Sequence, residues 1–153
     1  MSPIEAGSAA PDLTLSTHTG EQISLGDYRG EKPVVVFFYP KDGMPVCTKE
    51  ACYFRDAYED FVDAGAVVIG ISADSADRHR TFAANHELPF ILASDRDGAA
   101  RRAFGVPKSL GVFPGRVTYV IDKAGVVRHV FSSQMGAARH VSESLEALRK
   151  LKA

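Results

Sequence analysis

The chain lacks the features that mark several large classes of protein. Two cysteines in 153 residues are too few for the disulfide scaffold of a small secreted domain, whereas in a reducing compartment a close pair is more often catalytic or metal-binding. No apolar run approaches the ~20 residues of a membrane-spanning helix. Residues 1–11 show no basic patch followed by an apolar stretch, so a cytoplasmic protein is expected, although a chain processed after import into an organelle reads the same way. Neither charge is in excess: 18 Lys and Arg against 19 Asp and Glu leave a formal net charge of -1. With no long run of either sign, nothing calls for nucleic acid or a membrane surface as a partner. The histidines, at 18, 79, 86, 129 and 140, are scattered and none stands at metal-ligand spacing with a cysteine. They read as ordinary surface or helix-face residues, and a zinc site is not expected.

What is present is a globular composition, 45% hydrophobic and 24% charged, in a chain long enough to bury one core. A single domain over residues 1–153 is expected. Leu13 to Leu15 and Gln22 to Leu25 are short alternating segments around a polar turn, a small N-terminal hairpin. Val34 to Tyr39 is continuously apolar and β-branched or aromatic, the pattern of a central strand covered on both faces. Pro40, Gly43 and Pro45 then break it. Past Cys47, apolar residues at Ala51, Phe54, Tyr58, Phe61 and Val62 recur at helical spacing until Gly65, one helix.

A second buried strand is predicted over Ala66 to Ile71, a helix from Ser75 to His86, a short strand over Phe90 to Leu92, and a short helix over Asp97 to Phe104 stopped by Gly105 and Pro107. Val117 to Ile121 and Val126 to Phe131 flank the Asp122 to Gly125 turn as an antiparallel hairpin. Gly111, Pro114 and Gly115 shape a loop between. A last helix carries Val141, Leu145 and Leu148 on one face. This order implies an α/β fold with a mixed central sheet and helices on both sides.

Cys47 falls between a loop of turn residues and the first turn of a helix, beyond the C-terminal end of the central strand, where open α/β sheets place their ligands. Unpaired N–H groups and the partial positive charge of a helix start both stabilise a thiolate. Cys52 is in the same predicted helix. Ideal geometry puts the two Cα atoms ~8.6 Å apart, beyond the ~7 Å a disulfide spans. If they react, the first turns must unwind. The spacing is also not the Cys-x-x-Cys of a thioredoxin-type dithiol, and Cys52 reads equally well as a second core cysteine.

The segment from Phe37 to Cys52, with Pro40, Met44, Pro45, Val46 and Cys47 at its centre, closely resembles the active-site segment of peroxiredoxins, best of all the peroxiredoxin Q or bacterioferritin comigratory protein group. The resemblance continues in order through Phe54 to Asp56, Val68 to Ser72, Leu88 to Phe90, Phe104 to Pro107 and Pro114 to Asp122. It implies a thioredoxin-like fold, reduction of hydrogen peroxide and alkyl hydroperoxides, electrons from thioredoxin or a related dithiol protein, a monomer, and no metal or organic cofactor. It also implies that Cys47 is the peroxidatic cysteine, Cys52 the resolving cysteine, and Pro40 the proline opening the motif. Arg116 becomes the arginine reaching the thiolate from a later strand, and Met44, Pro45 and Val46 the surroundings of the bound peroxide. Without the resemblance Arg116 reads as a solvated strand-edge charge.

A free thiol of pKa ~8.5 is about 3% ionised at pH 7, and lowering the pKa to ~6 gains only about thirtyfold. An efficient peroxidase therefore also needs donors aimed at the peroxide oxygens as the O–O bond breaks. Arg116 and the backbone N–H groups ahead of Cys47 are the candidates. One departure stands out: the family has Thr or Ser where this chain has Met44, and a thioether accepts weakly and donates nothing. Two other readings compete with a two-cysteine peroxidase, namely a slow peroxide sensor with reduced turnover and a general thiol–disulfide exchange protein.

Overall fold

The structure, a computed structural model, describes residues 4–106, 108–109, 113–133 and 135–152. Pro107 and Gly111 lie outside the described residues. In chain order the elements are β1 (Thr14–Thr17), β2 (Gln22–Ser24), β3 (Val34–Phe38), α1 (Pro45–Asp56), α2 (Tyr58–Asp63), β4 (Val67–Ser72), α3 (Ala76–His86), β5 (Ile91–Ser94), α4 (Ala99–Phe104), β6 (Lys108–Ser109), β7 (Phe113–Pro114), β8 (Val117–Ile121), β9 (Val127–Ser132) and α5 (Ala137–Lys152). A mixed seven-stranded sheet runs β2-β1-β5-β4-β3-β8-β9, and β6 and β7 pair separately. β3 pairs parallel to β4, and β4 parallel to β5, while β8 lies antiparallel on the other side of β3.

β3 holds the centre because both of its faces are apolar. Val35, Phe37 and Tyr39 point into one core with α1, α2, α3 and α5, whereas Val34, Val36 and Phe38 point into a second core with Ala100 and Phe104 of α4. The alternation of side chains along a strand makes this division. Phe37 stacks on Phe54 with ring centroids 4.3 Å apart, fixing α1 over the sheet. Gly70 in β4 makes room for it: a Cβ there would stand 2.7 Å from the Phe37 ring.

The predicted helix beyond Cys47 is two helices. Ala57, at φ -97° and ψ 7°, separates α1 from α2, and its carbonyl accepts from Asp60 and Phe61. The apolar spacing runs through this break because Tyr58 and Phe61 still face the core after a one-residue turn. No Gly or Pro marks it. The N-terminal hairpin pairs Leu15 with Ile23, and Ser75 caps α3 by accepting from the Arg78 N–H. α5 packs on α1, β8 and β9. Its buried stripe carries not only Val141 and Leu148 but also His140 and Ser144, a polar intrusion that matters for the site.

Candidate active site

Cys47 occupies the third position of α1. Met44 is the residue before the helix, with extended backbone and no side-chain cap hydrogen bond, and Pro45 opens the first turn, where its missing N–H costs nothing. The Met44 carbonyl accepts from the Thr48 N–H at 2.8 Å, so the Cys47 N–H belongs to the first turn, whose donors have no partner inside the helix. Pro40 makes the bend after β3 that brings the chain round to this helix start. Met44 is half-buried and packs on the core cluster that contains Cys47; Val46 is half-buried and Pro45 exposed.

Arg116 reaches the sulfur from the start of β8. Its Nη2 donates to Cys47 Sγ at 3.2 Å and its Nη1 to Glu50 Oε1 at 2.8 Å. The guanidinium is 3% exposed, Glu50 0% and Cys47 1%, so the interactions act with little screening. Burial pushes the Cys47 thiol up from its ordinary value, and the Lys41 backbone N–H and the Arg116 guanidinium pull it back. The sequence pointed only to the forces that ionise the thiol; in the folded chain burial outweighs them. Glu50 is pushed up to about 7 by burial, against the opposing pull of Arg116.

Behind Glu50 lies His140, fully buried. Its Nε2 donates to the Ser133 carbonyl at 2.8 Å, and its Nδ1 lies 2.7 Å from Thr118 Oγ1 and 3.4 Å from Glu50 Oε2. Burial lowers His140 to about 4, so the ring is neutral at pH 7. The loop ahead of Cys47 is pinned by a second buried network. Asp42 accepts from the Tyr39 hydroxyl at 2.6 Å, its other oxygen lies 2.6 Å from His79 Nδ1, and its N–H donates to Asp74. The Ser72 hydroxyl also donates to Asp74, and His79 Nε2 donates to the Ala93 carbonyl. Asp42, Asp74 and His79 could bring ligand atoms within 4.8 Å of one another, yet their hydrogen bonds already engage one another, which makes the group a brace for the loop. Of the histidines expected as ordinary surface or helix-face residues, His79 and His140 do lie on helices, but both are fully buried and hydrogen-bonded, which corrects the surface part of that expectation.

Cys52 is not brought to Cys47. Both are free thiols, ~140° apart around the helix axis by ideal geometry. Cys52 is half-buried with Sγ 3.9 Å from His86 Nδ1, and Arg55 holds His86 in place by donating to its carbonyl at 2.8 Å. A cleft of about 400 Å³ opens nearby, lined by Asp42, Gly43, Phe82 and His86 among others. The larger cavity, about 860 Å³, is lined by Lys32, Pro33, Asp122 and Leu148 among others, at the far end of β3 from the sulfur.

A buried thiol at a helix start, held by a guanidinium, at the end of the central strand of such a sheet, has relatives. The AhpC/TSA family model matches residues 6–130. The chain belongs to the AhpC/TSA family. Within it, the chain is 49% identical over 150 residues to the chloroplastic peroxiredoxin Q of Sedum lineare, covering 97% of this chain and 80% of that one. Against the chloroplastic peroxiredoxin Q of Oryza sativa subsp. japonica it is 48% identical, covering 97% and 68%. Peroxidoxin BcpB of Mycobacterium tuberculosis superposes with a TM-score of 0.90 at 35% identity, covering 98% of this chain and 99% of that one. The bacterioferritin comigratory protein of Xanthomonas campestris gives 0.88 at 32%, covering 97% and 100%. The fold is therefore thioredoxin-like and the chain is a thiol peroxidase, an oxidoreductase of a family that uses peroxide substrates and thioredoxin-type reductants. The cytoplasmic expectation is corrected: the peroxiredoxin Q relatives of Sedum lineare, Oryza sativa and Arabidopsis thaliana are named chloroplastic, not cytoplasmic. Composition could not separate the two, because cysteine usage and net charge suit any reducing aqueous compartment.

Proposed function

We propose that Cys47 is the peroxidatic cysteine and Cys52 the resolving cysteine of a peroxidase that folds as one domain over residues 1–153. It acts as a monomer on hydrogen peroxide and alkyl hydroperoxides and is recycled by thioredoxin or a similar dithiol protein. The observation that carries this reading is the 3.2 Å hydrogen bond from Arg116 to a sulfur in the first turn of α1. Alkyl peroxides are included because the Xanthomonas campestris relative is described by its alkyl peroxide reduction activity, and because the half-buried thioether of Met44 offers an apolar wall to an alkyl group. Pro40 sets the bend of the loop, and Met44, Pro45 and Val46 border the peroxide.

In the first step the Cys47 thiolate attacks the hydroxyl oxygen of the peroxide. An S–O bond forms as the O–O bond breaks, and the departing oxygen takes a proton to leave as water or an alcohol. Arg116 and the first-turn N–H groups supply the donors for charge developing on those oxygens. In the second, the Cys52 thiolate attacks the Cys47 sulfenic sulfur, the S–O bond breaks, and hydroxide leaves as water after protonation. Thiol–disulfide exchange with the dithiol protein then restores both thiols.

The test is a coupled assay of peroxide-dependent thioredoxin oxidation; no oxidation of thioredoxin at any peroxide concentration would overturn the reading. In the same assay Cys52→Ser should give one rapid oxidation and then stop, and its Cys47 should be more readily overoxidised because the sulfenic acid has no internal partner. Continued cycling by Cys52→Ser with thioredoxin would remove Cys52 from its assigned role.

Disulfide formation should also leave a mark on the backbone. Because the intact helix holds the two Cα atoms ~8.6 Å apart, bonding requires the start of α1 to unwind. Amide exchange across residues 47–52 should therefore quicken on oxidation. Unchanged or stronger protection would mean that the bond does not form within this helix.

A further inference from the structure

Glu50 is fully buried, and its two carboxylate oxygens have opposite surroundings. Oε1 accepts from Arg116, as an ionised carboxylate would. Oε2 has no hydrogen-bond partner among the described residues. It faces His140 Nδ1 at 3.4 Å, a distance that suggests an ion pair, but the ring is not a cation. Nε2 spends the only proton of the neutral ring on the Ser133 carbonyl, so Nδ1 presents a lone pair, already approached by the Thr118 hydroxyl at 2.7 Å. An ionised Oε2 would set its charge against that lone pair with no donor, whereas a protonated Oε2 becomes a donor facing an acceptor. One oxygen suits a carboxylate and the other a carboxylic acid.

The charges around this pocket explain what such a group can do. Among the described residues, the titratable and charged side chains that meet here are Cys47 and Glu50 from α1, Arg116 from the start of β8 and His140 from α5. With His140 neutral, Arg116 is, among the described residues named above, the cation that faces two candidate anions. Two negative charges in so enclosed a space repel each other strongly.

We propose that Glu50 is the proton store for Cys47: the thiolate and the Glu50 carboxylate are alternative partners of one Arg116 guanidinium, and ionisation of the thiol leaves its proton on Glu50 Oε2, facing His140. The S–H bond breaks, the Oε2–H bond forms, and Arg116 stays cationic in both states. The reactive state is then thiolate, guanidinium and carboxylic acid, and the pocket keeps the same total charge before and after. This rests on the assignment of Cys47 as the attacking thiol. The elevated value of Glu50, about 7, lets it hold a proton near neutral pH, while the raised Cys47 thiol makes the thiolate–carboxylic acid form the minor of the two arrangements. Glu50 acts through Arg116 and the shared charge, and His140 orients it.

The experiment is a thiolate absorbance titration of the reduced Cys52→Ser protein, in which Cys47 is the only thiol, with infrared difference spectra recorded over the same pH range. Because the pair titrates together, thiolate should appear in two stages. The carbonyl stretch of a protonated carboxylic acid, absent from the corresponding Glu50→Gln spectra, should persist in part through the first stage and be lost completely only in the second. With Glu50→Gln added, thiolate should appear in a single stage, at a pH lower by at least about one unit than the second stage of the protein that retains Glu50, a tenfold change in proton concentration. A single stage at the same pH in both proteins, or no carboxylic acid band, overturns the proposal. If Glu50→Gln fails to fold, the infrared band in the protein that retains Glu50 decides alone. Failure of the underlying assignment is visible separately, as peroxide consumption that survives Cys47→Ser.

Discussion

A Cys47→Ser protein should consume hydrogen peroxide no faster than buffer, with or without a dithiol reductant, a loss of at least about a thousandfold or roughly 4 kcal/mol of barrier stabilisation. The size of the effect follows from what serine cannot do. Its hydroxyl fits the space of the buried sulfur and can still accept from Arg116, so the Arg116–Glu50 pair and the stacking of Phe37 on Phe54 should remain. A serine oxygen, however, does not ionise in this pH range, and forming a sulfenic acid requires sulfur. The fold should survive and the chemistry should not. Circular dichroism and thermal unfolding of the variant check the first half, and stopped-flow peroxide consumption the second. Multiple turnover by Cys47→Ser would mean that the nucleophile lies elsewhere, with Cys52 the next thiol to test.

The position of the thiol proposed to react was legible in the sequence because its signals are local. A continuous apolar strand, a loop of Pro and Gly, and a helix start are all read within residues 34–54, and the structure places them as read. What surrounds the sulfur was not local. Arg116 comes from β8 and His140 from α5, and no periodicity joins them to Cys47. Arg116 was found only through the resemblance of its segment to a known family. Glu50 and Asp42 were not singled out, and His79 and His140 read as ordinary residues. A signal was nonetheless present: Glu50 follows Cys47 by three residues and precedes Ala51, on the same helical stripe as Phe54. His140 stands on the stripe of Ser144 and Leu148. A charged or polar residue in register with a buried apolar stripe must find a partner or unfold the helix, and two such residues on different helices are candidates for each other. The break at Ala57 left no such trace, since the apolar spacing passes through it unchanged.

Met44 is where sequence and structure together predict more than either alone. The family's hydroxyl at this position can donate toward a bound peroxide, and removal of one preorganised donor can cost ~2.7–4 kcal/mol. The gain from restoring it should be smaller here, because Arg116 and the first-turn N–H groups remain and such contributions do not add. Met44→Thr should therefore quicken the first oxidation step by about ten- to a hundredfold, roughly 1.4–2.7 kcal/mol, with bulky alkyl peroxides gaining less. The structure adds a second consequence. Met44 immediately precedes α1 and its side chain makes no cap hydrogen bond, whereas a threonine hydroxyl there can accept from a first-turn N–H while donating to the peroxide. Such a cap is worth about 1 kcal/mol, and it fastens the turn that must open before Cys52 can reach Cys47. Disulfide formation should consequently slow by about fivefold. The two rates are expected to move in opposite directions, and the longer-lived sulfenic acid should make Met44→Thr easier to overoxidise at high peroxide. Stopped-flow separation of the two steps, each free of the external reductant, measures both. A first step no faster in Met44→Thr would show that the thioether belongs to a differently arranged peroxide site. A second step no slower would show that the start of α1 does not limit the closing of the disulfide.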